Sequence, residues 1–216
     1  MFEHHIDTTS FFFYINLMKK LLASIALSLC LVATSQADDI NDFKIEGMAV
    51  GDSLLDYFSE SEIKSRLFGD YPASDRFKRF YASNLDWFET YKGVQVNFIK
   101  NDKKYIIHVI AGQIDFPNNI NACLKAQKEV VKELDTLFPT AKKISRKIKK
   151  EFDKKGKSTS NYVAYIYEEN KKEWQIGVTC DDWSKEITKK KNMQDNLSVS
   201  IRSPEFVQFL RHEAYK

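Results

Sequence analysis

The chain has little glycine and little proline, seven and four of its 216 residues. It contains no repeat, heptad array or low-complexity linker, which argues against a repeat protein and against a disordered one. Histidine is also scarce. Beyond residue 37 only His108 and His212 occur, and neither has a second His or Cys at the spacing of a zinc or iron site. The sequence therefore predicts neither a metal site nor a cofactor.

The chain also lacks an apolar run long enough to cross a membrane as a helix. The run Leu21–Ala33 is well short of the roughly 20 residues that a spanning helix needs. Lys19 and Lys20 precede it and Ser35-Gln36-Ala37 follows, which gives the charged, apolar and small-x-small parts of a secretory signal peptide. We therefore predict a signal peptide over 18–37, cleavage after Ala37, a periplasmic or secreted protein and no transmembrane segment in the mature chain.

The residues before this segment do not resemble its positive part, because Glu3 and Asp7 are acidic. We therefore predict that Met18 is the initiator and that 1–17 is a mis-annotated extension. The alternatives are an uncleaved anchor, which would bury two lysines, and a lipoprotein signal, which needs a small residue where Leu29 precedes Cys30. Residues 38–216 are enough for one domain with a hydrophobic core, and they are few for two domains. We therefore predict a single α+β domain over 38–216.

Segments rich in aromatic and β-branched residues predict seven strands. They are Phe77–Ser83, Gly93–Lys100, Lys104–Ala111, Ile144–Phe152, Asn161–Tyr167, Glu173–Cys180 and Asn196–Ile201. Asn101 and Asp102 predict a tight hairpin turn between the second and third of these strands. Amphipathic spacing predicts one long helix over 119–138, and shorter helices are expected near both ends. This order predicts an α+β fold, an antiparallel sheet with the long helix packed on one face, and argues against a nucleotide-binding crevice.

Two cysteines remain after the signal peptide is removed. Cys123 lies on the apolar side of the predicted long helix, and Cys180 shares a strand face with Ile176 and Val178. Both side chains should therefore point to the same core, which predicts a helix-to-sheet disulfide in an oxidising compartment. The alternative is a pair of buried free thiols that behave as small hydrophobes.

Gly51-Asp52-Ser53-Leu54 resembles the GDSL signature of a hydrolase family in which the serine is the nucleophile. The resemblance implies a catalytic Asp and His three residues apart and a GxND segment, and the chain has neither pattern. Ser53 more simply caps a short helix. A secreted hydrolase that uses Ser53, or the adjacent acids Asp181 and Asp182, is therefore the alternative to a non-catalytic domain.

Basic residues concentrate between Lys142 and Lys157, where nine of them accompany two acids, a local excess of seven positive charges. They are Lys142, Lys143, Arg146, Lys147, Lys149, Lys150, Lys154, Lys155 and Lys157. On a hairpin they would form a cationic ridge that binds phosphates of lipid head groups or another anionic polymer. The alternative is an edge strand whose lysines prevent sheets from pairing edge to edge.

Three segments resemble a family of bacterial proteins that carry signal peptides and have no known activity: DFKIEGM at 42–48, GDSLLDYF at 51–58 and CDDWS at 180–184. The resemblance implies the Met18 start and the pairing of Cys123 with Cys180, and it implies no activity. More loosely, Gly47-Met48 and Gly51-Asp52-Ser53 resemble small periplasmic proteins of the outer-membrane assembly lipoprotein type, although the chain lacks their lipobox.

These observations favour a periplasmic or secreted, non-catalytic binding or envelope-interaction domain. The expected partner is an anionic envelope surface or another envelope protein. Nucleic acid is not expected, because no recognition helix is visible and the predicted compartment lies outside the cytoplasm.

Overall fold

A computed structural model of the chain describes Ile40 and residues 43–153 and 157–216. The predicted signal peptide at 18–37 and the segment 1–17 lie outside these residues. Seven strands are formed: β1 (Phe77–Ser83), β2 (Gly93–Ile99), β3 (Val109–Asp115), β4 (Lys142–Lys149), β5 (Thr159–Glu169), β6 (Lys172–Asp182) and β7 (Asn196–Arg202). The helices are α1 (Glu60–Ser65), α2 (Ile120–Leu137), α3 (Lys185–Lys191) and α4 (Pro204–His212), and a 3-10 turn covers Leu54–Asp56.

All seven strands form one sheet in the order β1-β2-β3-β7-β6-β5-β4. Every neighbouring pair is antiparallel, so the mixed α+β class with an antiparallel sheet is confirmed. The last strand, β7, lies in the middle, where it pairs with β3 on one side and β6 on the other. The strand richest in lysine, β4, therefore forms one edge of the sheet.

The core lies mainly on the sheet face that carries α2. Val96, Ile110, Val178 and Val199 point to this face from four different strands, and their side chains are fully buried. Alternation along β2, β3, β6 and β7 places most of their apolar residues here and most of their polar ones on the opposite face. Burial of this continuous apolar layer supplies most of the driving force for folding.

A disulfide joins α2 to the sheet on this same face. The sulfur atoms of Cys123 and Cys180 are 1.93 Å apart and their Cα atoms 6.0 Å apart, so the predicted pair is at bonding distance. Both residues are completely buried. Nearby, the Gln127 side-chain amide donates hydrogen bonds to the carbonyl oxygens of Asn161 and Val178, at 2.7 and 3.0 Å. These contacts fix α2 against β5 and β6.

The opposite face is covered at one end by α4. Phe206 and Phe209 of this helix pack against Phe77 of β1 and Val109 of β3. At the start of this helix the Ser203 hydroxyl accepts a hydrogen bond from the Phe206 N–H, and a proline follows in the first turn, both common at helix N-termini. The cap fixes where this helix starts on the sheet.

The predicted hairpin connection between β2 and β3 is confirmed, but the turn between the strands is not tight. The two strands do pair, but β3 begins at Val109, and nine residues separate the strands. The Asp102 carboxylate accepts hydrogen bonds from the backbone N–H groups of Lys104 and Ile106, which folds this connection into a loop. Ile106 then forms a bridge with Ser53 instead of with β2. Contacts with the N-terminal segment therefore override the β propensity of these residues.

Candidate functional site

The basic run predicted from the sequence lies on the exposed edge strand β4. All five of its cationic residues, Lys142, Lys143, Arg146, Lys147 and Lys149, are exposed. Because side chains alternate along a strand, Lys143, Lys147 and Lys149 lie on the α2 side of the sheet, whereas Lys142 and Arg146 lie on the opposite side. This edge of the sheet therefore carries positive charge on both of its faces.

Few carboxylates neutralise this strand. The Lys143 ammonium contacts Asp135 of α2 at 2.8 Å, and this bond lowers the pKa of the Asp135 carboxyl. The Lys150 ammonium, just beyond the strand, contacts Asp181 of β6 at 2.9 Å. Four cations have no carboxylate partner within the described ranges, namely Lys142, Arg146, Lys147 and Lys149. Their charge is available to an external anion.

The structure adds three lysines that the sequence interpretation missed. Helix α3 ends in Lys189, Lys190 and Lys191, all exposed. It begins beside the β4 end of the sheet, where the Ser184 N–H donates to the Ser158 hydroxyl at 2.9 Å, and the Lys191 ammonium lies 4.7 Å from the Phe152 ring centroid. The triple lysine was visible in the sequence, but the contact of Lys191 with Phe152, just beyond β4, depends on tertiary packing.

We call this surface the cationic edge. It comprises Lys142, Lys143, Arg146, Lys147, Lys149, Lys150, Lys157, Lys189, Lys190 and Lys191. Lys157 is exposed just before β5. The remaining predicted members, Lys154 and Lys155, lie outside the described residues. The sequence-predicted group is thus brought onto one strand and its flanks, and a helix from elsewhere in the chain extends it.

The acids at the end of β6 do not converge. Asp181 and Asp182 are neighbours in a strand, so their side chains lie on opposite faces. The Asp181 carboxylate accepts a hydrogen bond from the Ser160 hydroxyl as well as pairing with Lys150. Asp181 is therefore part of a hydrogen-bonded junction between strands. It does not form a carboxylate pair with Asp182.

Ser53 is the cap of the 3-10 turn at Leu54–Asp56. Its hydroxyl accepts a hydrogen bond from the Leu55 N–H at 3.2 Å and donates its own proton to the Lys104 carbonyl at 2.7 Å. A nucleophilic serine needs a base that takes this proton. A backbone carbonyl is not such a base, so the geometry at Ser53 fits the capping role.

A second surface feature, a cleft of about 680 Å³, contains His108. It lies between the 50–51 and 106–108 loops, the turn from β5 to β6 and the start of α4. The His108 Nδ1 is 3.1 Å from the Ser203 hydroxyl and 3.7 Å from a Glu205 carboxylate oxygen. Burial lowers the pKa of His108, and this effect outweighs the opposite influence of Glu205. We call this feature the His108 cleft.

The His108 cleft has mixed charge, and much of it is paired within the chain. Glu205 pairs with Arg76, which also contacts Glu213 at 2.7 Å, and Glu173 pairs with Arg211. The serine that contacts His108 is 6 % exposed and is already engaged as the cap of α4. The Ser203–His108–Glu205 contacts therefore hold α4 against the sheet.

In the part of the chain that the structure describes, no three His, Cys, Asp or Glu side chains are grouped so that they could hold a metal ion. Over the same residues, no helix is both long enough and apolar enough to cross a membrane.

Comparison with known proteins yields no relative from which a role could be transferred. No protein-family model, no curated protein and no solved structure matches the chain. The resemblance to the bacterial family with signal peptides therefore stays a prediction. What this chain does has to be argued from its own surface, where the cationic edge carries four cations without a carboxylate partner among the described residues.

Proposed function

We propose that this chain is a non-catalytic domain of the bacterial cell envelope that binds an anionic surface through its cationic edge. The observation that carries the proposal is the exposed strand β4, on which four cations have no carboxylate partner among the described residues. Clustered cations of this kind attract anionic lipid head groups and anionic polymers. The disulfide between Cys123 and Cys180 supports an oxidising compartment, which agrees with the predicted signal peptide.

Protection of an open sheet edge explains only part of this surface. Lysines on an edge strand do hinder pairing with another sheet. Lys189, Lys190 and Lys191, however, belong to a helix, where no strand edge needs protection. The contact of Lys191 with Phe152 brings this helix end next to the segment that follows β4, so the positive charge extends beyond the edge strand itself. This extension favours the interpretation that the surface binds an external anion over the interpretation that it only protects a sheet edge.

The proposal assigns no catalytic group. The Ser53 hydroxyl donates its proton to a carbonyl, and Asp181 is engaged by Ser160 and Lys150. Both arrangements are explained by local structure. On the cationic edge, in contrast, Lys142, Arg146, Lys147 and Lys149 have no carboxylate partner among the described residues.

The test measures binding to two anionic probes at low ionic strength. The full chain is expressed in a bacterium, the exported protein is purified, and N-terminal sequencing identifies where it starts. The probes are vesicles of phosphatidylglycerol in phosphatidylcholine, and soluble polyphosphate. We expect binding to at least one probe, and it should weaken as added salt shortens the screening length. Vesicles of phosphatidylcholine alone should bind far less.

A charge variant and a matched control locate the contact. Substituting Arg146, Lys147 and Lys149 by Gln should weaken binding to anionic vesicles about a hundredfold, since each cation near such a surface contributes about 1 kcal/mol. The control removes three exposed lysines from α2, Lys125, Lys128 and Lys132, and should weaken binding far less. Equal effects of the two variants, or no binding to either probe, would contradict the proposal.

A further inference from the structure

Two large apolar side chains lie exposed within the cationic edge. Ile148 of β4 is 44 % exposed, and Phe152, just beyond the strand, is 51 % exposed. By alternation, Ile148 shares its side of the strand with Arg146. We call Ile148 and Phe152 the apolar tip. Exposing such groups beside cations is unfavourable in water, so a partner that covers them would recover hydrophobic free energy.

Phe152 is supported by an aromatic side chain and lies beside cations. The centroid of its ring lies 5.9 Å from that of Trp183, and the Lys150 ammonium lies 4.9 Å from the Trp183 centroid. The ammonium of Lys191, at the end of α3, lies 4.7 Å from the centroid of the Phe152 ring. These contacts hold Phe152 in place and set positive charge beside it, and Ile148 shares its side of β4 with Arg146.

This combination identifies one kind of anionic partner. A hydrated polyanion offers phosphates to the lysines but nothing to Ile148 and Phe152. An anionic bilayer offers both, because its phosphate head groups lie directly over the boundary of the acyl chains. On the basis of the proposed function, we infer that the cationic edge docks on an anionic lipid bilayer and that Ile148 and Phe152 enter its interface.

The first test separates apolar insertion from charge. In the exported protein, Ile148→Ser with Phe152→Ser should weaken partition to phosphatidylglycerol-containing vesicles by about tenfold or more, because both side chains lose their interfacial burial. Binding to soluble polyphosphate should not change. The matched control, Leu55→Ser with Tyr215→Ser, also removes two exposed apolar side chains, 41 % and 67 % exposed, and should leave vesicle binding unchanged.

A second measurement reports where the apolar tip lies. A tryptophan placed by Phe152→Trp should be quenched by bromine atoms on the lipid acyl chains near the head groups, more than the parent protein is. Leu55→Trp, the matched control, should show no added quenching. Circular dichroism of each variant verifies that it is folded, and both positions are exposed, so the substitutions remove little packing.

The possible results separate this inference from the proposed function. If the parent protein binds vesicles and polyphosphate equally and the apolar variant weakens neither, the bilayer inference is wrong, whereas charge-driven binding stands. Absence of added quenching at position 152 in vesicle-bound protein would also overturn insertion. If the parent binds neither probe at low ionic strength, the proposed function and the inference fail together.

Discussion

The cationic edge and the His108 cleft handle charge in opposite ways. In the cleft, glutamates and arginines from different elements meet, as Glu205 does with Arg76 and Glu173 with Arg211. On the cationic edge, the cations of β4 outnumber the carboxylates within reach. Two glutamates that line the cleft are thus paired with arginines, whereas four of the five cations of β4 have no carboxylate partner among the described residues.

The difference indicates what each set of charges contributes. Paired charges lose part of their hydration, and their partners hold secondary-structure elements together. Arg76, for example, links β1 to the start and the end of α4 through Glu205 and Glu213. Unpaired surface cations add little to folding and repel one another. A cleft is the usual first candidate for a binding site. In this chain, however, it is the exposed edge that carries cations without carboxylate partners among the described residues.

The largest expected effect comes from the bond that supports both regions. Strand β6 extends from the cleft, at Trp174, to the acids beside the cationic edge, and Cys180 ties it to α2. Replacing Cys123 and Cys180 by Ala should lower the free energy of unfolding by about 4 kcal/mol, because the bridge closes a loop over a separation of 57 residues. Urea denaturation measures this, and reducing agent should lower the stability of the parent but not of the variant.

Exchanging one arginine in each region tests the comparison directly. Arg76→Gln should lower the free energy of unfolding by about 1 kcal/mol, a modest value because the arginine and its carboxylate partners remain partly exposed. Arg146→Gln on β4 should change it by less than about 0.5 kcal/mol, because this residue has no ionic partner among those described. Equal losses would mean that the two regions do not differ as argued.

The smallest effect should be a pH dependence that belongs to the cleft alone. Burial lowers the pKa of His108 in the native state, so the unfolded chain takes up this proton first as the pH falls. The free energy of unfolding should therefore decrease as the pH falls through the ordinary histidine range, from about 7 to below 6. His108→Gln should flatten this dependence in denaturation curves, and an unchanged dependence in this variant would contradict the assignment.

Local patterns in the sequence predict much of the sheet and its caps. Phe77–Ser83 is predicted to the residue because aromatic residues are frequent within it. The spacing of Ser59 and Glu62 is that of a capping box, and the two residues form one, since each satisfies a backbone N–H of the other within one turn. Cys180 is placed by alternation along β6. In each case the residues that decide the structure are close in the sequence.

Features that depend on distant contacts are predicted less well. Ile187 is the one buried residue of helix α3, so the sequence has no apolar periodicity from which this helix could be predicted. The late start of β3 follows from hydrogen bonds to Asp102 and from the bridge between Ile106 and Ser53. The candidate site divides in the same way. The basic residues of β4 are predicted, whereas the lysines of α3 and the support of Phe152 by Trp183 require the folded chain.

The central position of β7 also constrains when the sheet can be completed as the chain folds. In the native topology β1, β2 and β3 pair with one another, and β4, β5 and β6 do the same. β3 and β6 keep open inner edges until Asn196–Arg202 pairs with both. Until then the chain consists of two three-stranded fragments, so one late segment of seven residues controls when they merge.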